Sequence, residues 1–170
     1  SITDRPINQL EVEKTDKAKE FMTENNISEE SIQEMLQQAK STSENGKTTE
    51  MSGKNAAAAV LLNNGNIVTA EKMDWTRRWF THPEFIAIAG ALQDKSIHKD
   101  AKVVAVAYYG DDNFPYIESL GRIAQGRISG NNLVITIQNN KVKVRTILDY
   151  MPFLYISSKK TETKPTCSCC

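Results

Sequence analysis

The chain has 170 residues, with 21 basic and 21 acidic side chains and a formal net charge of zero. That length holds one domain with a real core plus extensions, and the charge balance gives no ground for nucleic-acid binding. No apolar run is long enough to span a bilayer, and no apolar h-region follows a charged start as in a secretory leader. The three cysteines, Cys167, Cys169 and Cys170, crowd the C-terminus, so no disulfide framework staples the body. A reducing compartment such as the cytosol is the expectation.

Residues 1–50 carry eleven acidic and six basic side chains, a balance of −5, which leaves +5 on the remainder. Residues 1–27 read as an acidic N-terminal extension. Val12, Ala18, Phe21 and Met22 allow a short amphipathic helix there, and partial disorder is the equal alternative. A better helix starts at Ser28, a plausible N-cap followed by Glu29 and Glu30 at the positive end, with Ile32, Met35, Leu36 and Ala39 at helical spacing. Residues 41–54 form a polar loop. Ala56 to Leu62, the turn Asn63-Asn64-Gly65-Asn66 and Ile67 to Ala70 make a hairpin. Trp75 to Phe80 reads as a loop with bulky anchors. Pro83 to Leu92 is a helix, with Phe85, Ile88, Ala89 and Leu92 on one face. Lys102 to Tyr109 is a buried strand, followed by a turn at residues 110–113. Ile117 to Ile128 is another helix. Leu133 to Ile137 and Val142 to Ile147 are strands, and residues 149–155 make a short closing turn. The tail from Ser157 to Cys170 is polar and contains lysine and cysteine.

This order predicts helices on both faces of a mixed sheet, a three-layer α/β/α domain with five strands. A parallel crossover needs a dozen or more residues, and the last two strands have only a few between them. The last strand is therefore antiparallel to its predecessor.

Residues 28–156, in this order, resemble the cytidine deaminase family, in its free-nucleoside and blasticidin-type branch. The segments that carry the likeness are Ala56 to Leu62, Asn64 to Thr69, Ile117 to Gln125, and Thr146-Ile147-Leu148-Asp149-Tyr150-Met151-Pro152-Phe153. The antiparallel last strand matches the nucleoside branch rather than the tRNA-editing branch. The resemblance implies a zinc held by one His or Cys and a later Cys pair, with water in the fourth position and a nearby Glu moving protons. By position His82 is the first ligand and Glu84 the shuttle. The cysteine pair falls at Leu120 and Ile123, degenerate metal positions with no donor atom. A neighbouring register sets Ser119 or Arg122 there instead. Without bound metal the attacking hydroxide has no source. The resemblance also places a ribose-holding Asn and Glu after the second strand, where this chain has Glu71-Lys72-Met73-Asp74.

Each motif has a plainer explanation. Thr81-His82-Pro83-Glu84 reads as a capping box with proline in the first turn, favoured over a vestigial ligand. Ile117, Leu120 and Ile123 read as a core seam. Trp75, Arg77, Arg78 and Trp79 form either a phosphate- or nucleic-acid-binding patch or a subunit contact, and the subunit contact is favoured because Trp and Arg are typical interface anchors. Cys167, Cys169 and Cys170 resemble lipidation sites, with Lys159, Lys160 and Lys164 as a basic second signal. An exposed thiol-rich tail is the equal alternative.

The sequence thus predicts a catalytically inactive deaminase-fold protein, cytoplasmic and tethered to a membrane if the tail is lipidated. It would act as a binding or structural subunit in a homo-oligomer or larger protein assembly, with no cofactor. The alternative is a divergent zinc-dependent nucleoside deaminase that uses His82 and Glu84.

Overall fold

The computed structural model describes residues 3–110, 120–121, 123–124 and 126–153. The predicted turn at residues 111–113, Ile117, Ser119, Arg122, Gln125 and the whole cysteine-bearing tail lie outside the described residues. Eight strands and four helices are labelled here in chain order: β1 (Glu11–Lys14), α1 (Asp16–Glu24), α2 (Glu29–Glu44), β2 (Ala56–Leu62), β3 (Ile67–Glu71), β4 (Met73–Asp74), β5 (Phe80–Thr81), α3 (Pro83–Gln93), β6 (Val103–Gly110), β7 (Leu133–Gln138), β8 (Lys141–Thr146) and α4 (Ile147–Tyr150).

The main sheet has six strands in the order β1-β8-β7-β6-β2-β3, and β4 and β5 form a separate two-stranded ribbon. The predicted three-layer architecture stands. On one face, Ile32, Met35, Leu36 and Ala39 of α2, with Ala18 and Met22 of α1, pack on Ala59, Ala105, Ile135 and Val144. On the other, Ala87, Ile88 and Ala91 of α3, with Leu120, Ile147 and Leu148, pack on Ala58, Val60, Val106 and Val134. Strands β2, β6 and most of β7 are buried on both faces, which is why they read as continuous apolar runs.

Local chemistry fixes the start of α2 and the two hairpins. Ser28 caps α2 by accepting from the Ser31 N–H at 3.1 Å. The β2–β3 turn uses Gly65 at φ +90°. The β7–β8 turn sets Asn139 and Asn140 at φ +51° and +57°, the left-handed pair that a two-residue hairpin requires. β7 and β8 are antiparallel, as their short connection dictates.

The sheet has six strands where five were expected. The additional strand is β1, which pairs in parallel with β8 and places Glu11 beside Lys141 and Glu13 beside Lys143. Lys143 Nζ lies 2.6 Å from Glu13 Oε2, and Lys141 Nζ lies 3.7 Å from Glu11 Oε2. Val12 therefore belongs to a strand rather than to an amphipathic helix. The acidic segment set apart as an extension carries an edge strand matched in charge to β8. Its Ile7, Leu10, Ala18, Met22 and Ile27 are buried in the core.

Helix α3 is turned from the face expected: Ile88 is buried and Phe85 packs against the core, but Ala89 and Leu92 do not. The buried residues are Pro83, Glu84, Ala87, Ile88 and Ala91. Ala89 is exposed, and Leu92 keeps 45% of its surface accessible. The helix is apolar almost all round, so hydrophobic spacing alone had no polar stripe by which to orient it.

Candidate functional site

The segment from β3 to the start of α3 places a group of charged side chains inside the protein. Strand alternation sends Lys72 and Asp74 inward, and both are buried, as is Glu84. A strap from the loop before β2 covers them. The Ser52 N–H donates to Asp74 Oδ2 at 2.8 Å, and Lys72 Nζ donates to Ser52 Oγ at 3.2 Å. Thr48 Oγ1 donates to the Lys72 carbonyl at 2.6 Å, and the Asp74 N–H donates to the Thr48 carbonyl at 2.8 Å. Lys72 Nζ and Asp74 Oδ1 are 3.6 Å apart, so their contact is ionic rather than a hydrogen bond. The Lys72 ammonium also sits 4.5 Å from the centre of the Phe80 ring. Burial pushes the Asp74 carboxyl up. The Ser52 hydroxyl and N–H and the Lys72 charge outweigh that effect and hold it below the ordinary carboxylate value.

Phe80 links this cluster to His82, whose ring meets it edge-on at 4.9 Å between centres. On the other side Phe85 meets the His82 ring at 6.1 Å. His82 Nδ1 and Glu84 Oε1 are 3.7 Å apart. The two residues set together by the sequence are therefore together in space. At that distance a proton passes between them only after the gap closes.

The expected capping box does not form. His82, not Thr81, is the N-cap of α3, and it makes no side-chain cap bond. Thr81 lies in β5, and its hydroxyl accepts from the Trp75 indole at 2.8 Å. Glu84 is fully buried, with its Oε1 beside His82. Proline still opens the helix, as its fixed φ favours.

Leu120 is 0% exposed, in one apolar cluster with Ala87, Ile88, Val106, Val134 and Ile147, and the half-buried Ile123 packs against that cluster. The residues at the positions the resemblance gives to thiolates thus share a core layer with α3, but they bring only carbon. No group of three or more His, Cys, Asp or Glu side chains able to hold a metal occurs among the described residues. His82 and Glu84 with Leu120 and Ile123 do not fit a tetrahedral zinc site. Lys72 and Asp74 occupy the segment assigned to ribose contact, and their charged ends are hydrogen-bonded to the strap and in ionic contact with each other. Their burial was missed in the sequence. The signal that would have found it is period-two spacing of two charges continuing from a strand.

Trp75, Arg77, Arg78 and Trp79 lie in the expected loop, which joins β4 to β5 and forms the tip of that ribbon, while Phe80 belongs to β5. The Trp75 N–H donates to the Trp79 carbonyl at 2.9 Å, and the Thr76 hydroxyl accepts from the Trp79 N–H at 3.0 Å. Trp75 is 54% and Trp79 68% exposed, and both arginines are exposed. No helix of the described residues is long and apolar enough to cross a membrane.

No protein-family model matches the chain, and no curated protein does. Solved structures match in fold. Cytidine deaminase from Bacillus anthracis aligns with a TM-score of 0.56 at 14% identity, over 77% of this chain and 94% of that one. The Mycobacterium leprae enzyme gives 0.54 at 16% identity, over 70% and 95%. The Burkholderia pseudomallei enzyme gives 0.52 at 16% identity, over 68% and 92%. At such identities the likeness concerns architecture alone: this chain has the cytidine deaminase-like fold.

Proposed function

We propose that this chain is a catalytically inactive member of the free-nucleoside deaminase branch, acting as a binding or structural subunit of an oligomer without a metal cofactor. The observation that carries the reading is Leu120, a fully buried hydrocarbon side chain within the apolar layer where the resemblance calls for a metal-binding thiolate. The antiparallel β7–β8 pair supports the branch. The exposed Trp75, Arg77, Arg78 and Trp79 support a subunit contact, since such side chains are the usual anchors of protein interfaces. A cytoplasmic location, with membrane attachment through lipid on Cys167, Cys169 or Cys170, completes the proposal, and intact mass of the native protein tests the tail.

A second reading, a divergent zinc-dependent nucleoside deaminase, is favoured by the 3.7 Å approach of His82 to Glu84 at the start of α3. Metal analysis of protein purified without chelator separates the two. Less than about 0.1 equivalent of zinc per chain is expected, because a working site retains its metal tightly. A full equivalent together with cytidine turnover would overturn the first reading.

A further inference from the structure

Two surfaces rooted at opposite ends of β2 complement each other. One is the ribbon tip, with two exposed indoles and two exposed guanidinium groups. The other is a groove of about 460 Å³ between the α1–α2 junction and the β2–β3 turn. It is lined by the largely buried Ile27, Leu61 and Val104, by the polar Asn25, Asn26 and Asn63, and by Glu30 and Glu34. Those two glutamates are one helical turn apart and face the same way, an arrangement that is mildly repulsive in an isolated helix. Glu34 accepts from Gln38 Nε2 at 2.9 Å. Among the described residues, none of Glu30, Glu34, Arg77 and Arg78 is in an ion pair.

We infer that the ribbon of one copy docks in this groove of a second copy, so that the chain associates head to tail. This rests on the proposed reading of the ribbon as a subunit contact and names its partner surface. The groove offers the ribbon tip two carboxylates for the guanidinium groups, whose charge-assisted bonds are the strong ones, and amide side chains at Asn25, Asn26 and Asn63 for an indole N–H. The ribbon cannot reach its own groove. It springs from the Ala56 end of β2, where the Lys72 N–H bonds the Ala56 carbonyl, while the groove lies at the Leu61–Leu62 end. Seven strand residues separate the two ends by about 20 Å, and the root of the ribbon is held by the strap. Donor and acceptor surfaces are thus different patches of one molecule. A single such contact leaves one ribbon and one groove open, so it builds rings or open chains unless two copies dock reciprocally.

The test uses light scattering and sedimentation of the full chain over a range of concentrations. A ribbon variant, Trp79→Ala with Arg78→Ala, and a groove variant, Glu30→Lys with Glu34→Lys, change only exposed side chains. Each is expected to weaken association at least about 30-fold. Mixed, they are expected to form one-to-one dimers and nothing larger, because one supplies the intact groove and the other the intact ribbon. If the groove variant assembles like the parent while the ribbon variant does not, the head-to-tail inference falls and the ribbon remains a contact of another kind. If the ribbon variant assembles like the parent, the ribbon reading itself falls. A mixture that stays monomeric, or a parent chain that is monomeric throughout, overturns the inference.

Discussion

Removing the Asp74 carboxylate should cost more than removing both members of its ion pair. In Asp74→Ala the Lys72 ammonium stays buried, with Ser52 Oγ at 3.2 Å and the Phe80 ring at 4.5 Å, while the Ser52 N–H loses its acceptor. Deleting one partner of a buried pair costs about 3–5 kcal/mol, most of it for the stranded charge. The cover over this pair is a single loop rather than a helix, and local opening admits water, so the lower end, about 3 kcal/mol, applies. For a chain of this size that is a fall in Tm of about 6–12 °C. Lys72→Met with Asp74→Leu removes both charges at similar volume and should stay within about 1 kcal/mol of the parent. Urea and thermal unfolding followed by circular dichroism at neutral pH measure both. A loss under about 1 kcal/mol for Asp74→Ala, or an equal loss for the double variant, would refute the argument. The pH dependence has a definite sign. Asp74 is held below the ordinary carboxylate value, so its contribution is complete above the unfolded value of about 3.9 and is lost as pH falls through the lower folded value. The gap between parent and Asp74→Ala should be flat from neutral pH to about 5 and close below about 4.

Gly110→Ala should cost about 1–3 kcal/mol in the same assay, toward the upper end. A Cβ there would lie 2.5 Å from the Ala56 Cβ and 2.7 Å from its Cα, atoms with no rotamer by which to escape. Leu120→Ala should cost about 2–5 kcal/mol, because the side chain is a wholly buried part of the core. A loss under about 1 kcal/mol would mean that the layer is loosely packed. Thr146→Ala should cost about 1 kcal/mol, since Thr146 and Asp149 form a reciprocal capping box at the start of α4.

The central strands were legible because each is a short apolar run bounded by a turn with its own chemistry. Asn63-Asn64-Gly65-Asn66 marked one hairpin and the shortness of the link between the last two strands fixed the other, before any packing argument was needed. β1 was not legible, for a reason of range. Glu11-Val12-Glu13-Lys14 is four residues long and mostly charged, and it becomes a strand because Lys141 and Lys143 lie beside it from the far end of the chain. Half of the α3 face, at Ala89 and Leu92, was misplaced for the opposite reason, an excess of apolar residues. At the candidate site, the proximity of His82 and Glu84 was legible because two residues at a helix start cannot be far apart. The inward turn of Glu84 was not, since a capping role satisfied the local pattern equally well. Lys72 and Asp74 were hidden by composition, because a lysine and an aspartate beside a turn read as solvent-facing until Ser52 is seen to cover them.

Buried charge is concentrated where β3 gives way to the ribbon, and that location has a consequence for association. A sheet of this kind has no need of an ion pair at the end of β3, and an apolar pair of the same volume would hold the fold about as well. Charges impose something hydrocarbon does not: a single register between the strap at Ser52 and the ribbon strand at Asp74, fixed by hydrogen bonds at 2.8 and 3.2 Å. The ribbon beyond that anchor has only two residues in each strand, too few to hold a direction unaided. A tip held in one direction loses less freedom on docking than a swinging one, so the anchor acts on affinity through preorganisation. The Lys72→Met, Asp74→Leu variant should therefore keep its stability yet associate about tenfold more weakly than the parent, though Trp75, Arg77, Arg78 and Trp79 are untouched. If it self-associates like the parent, the ion pair packs the end of the sheet and does nothing for the ribbon.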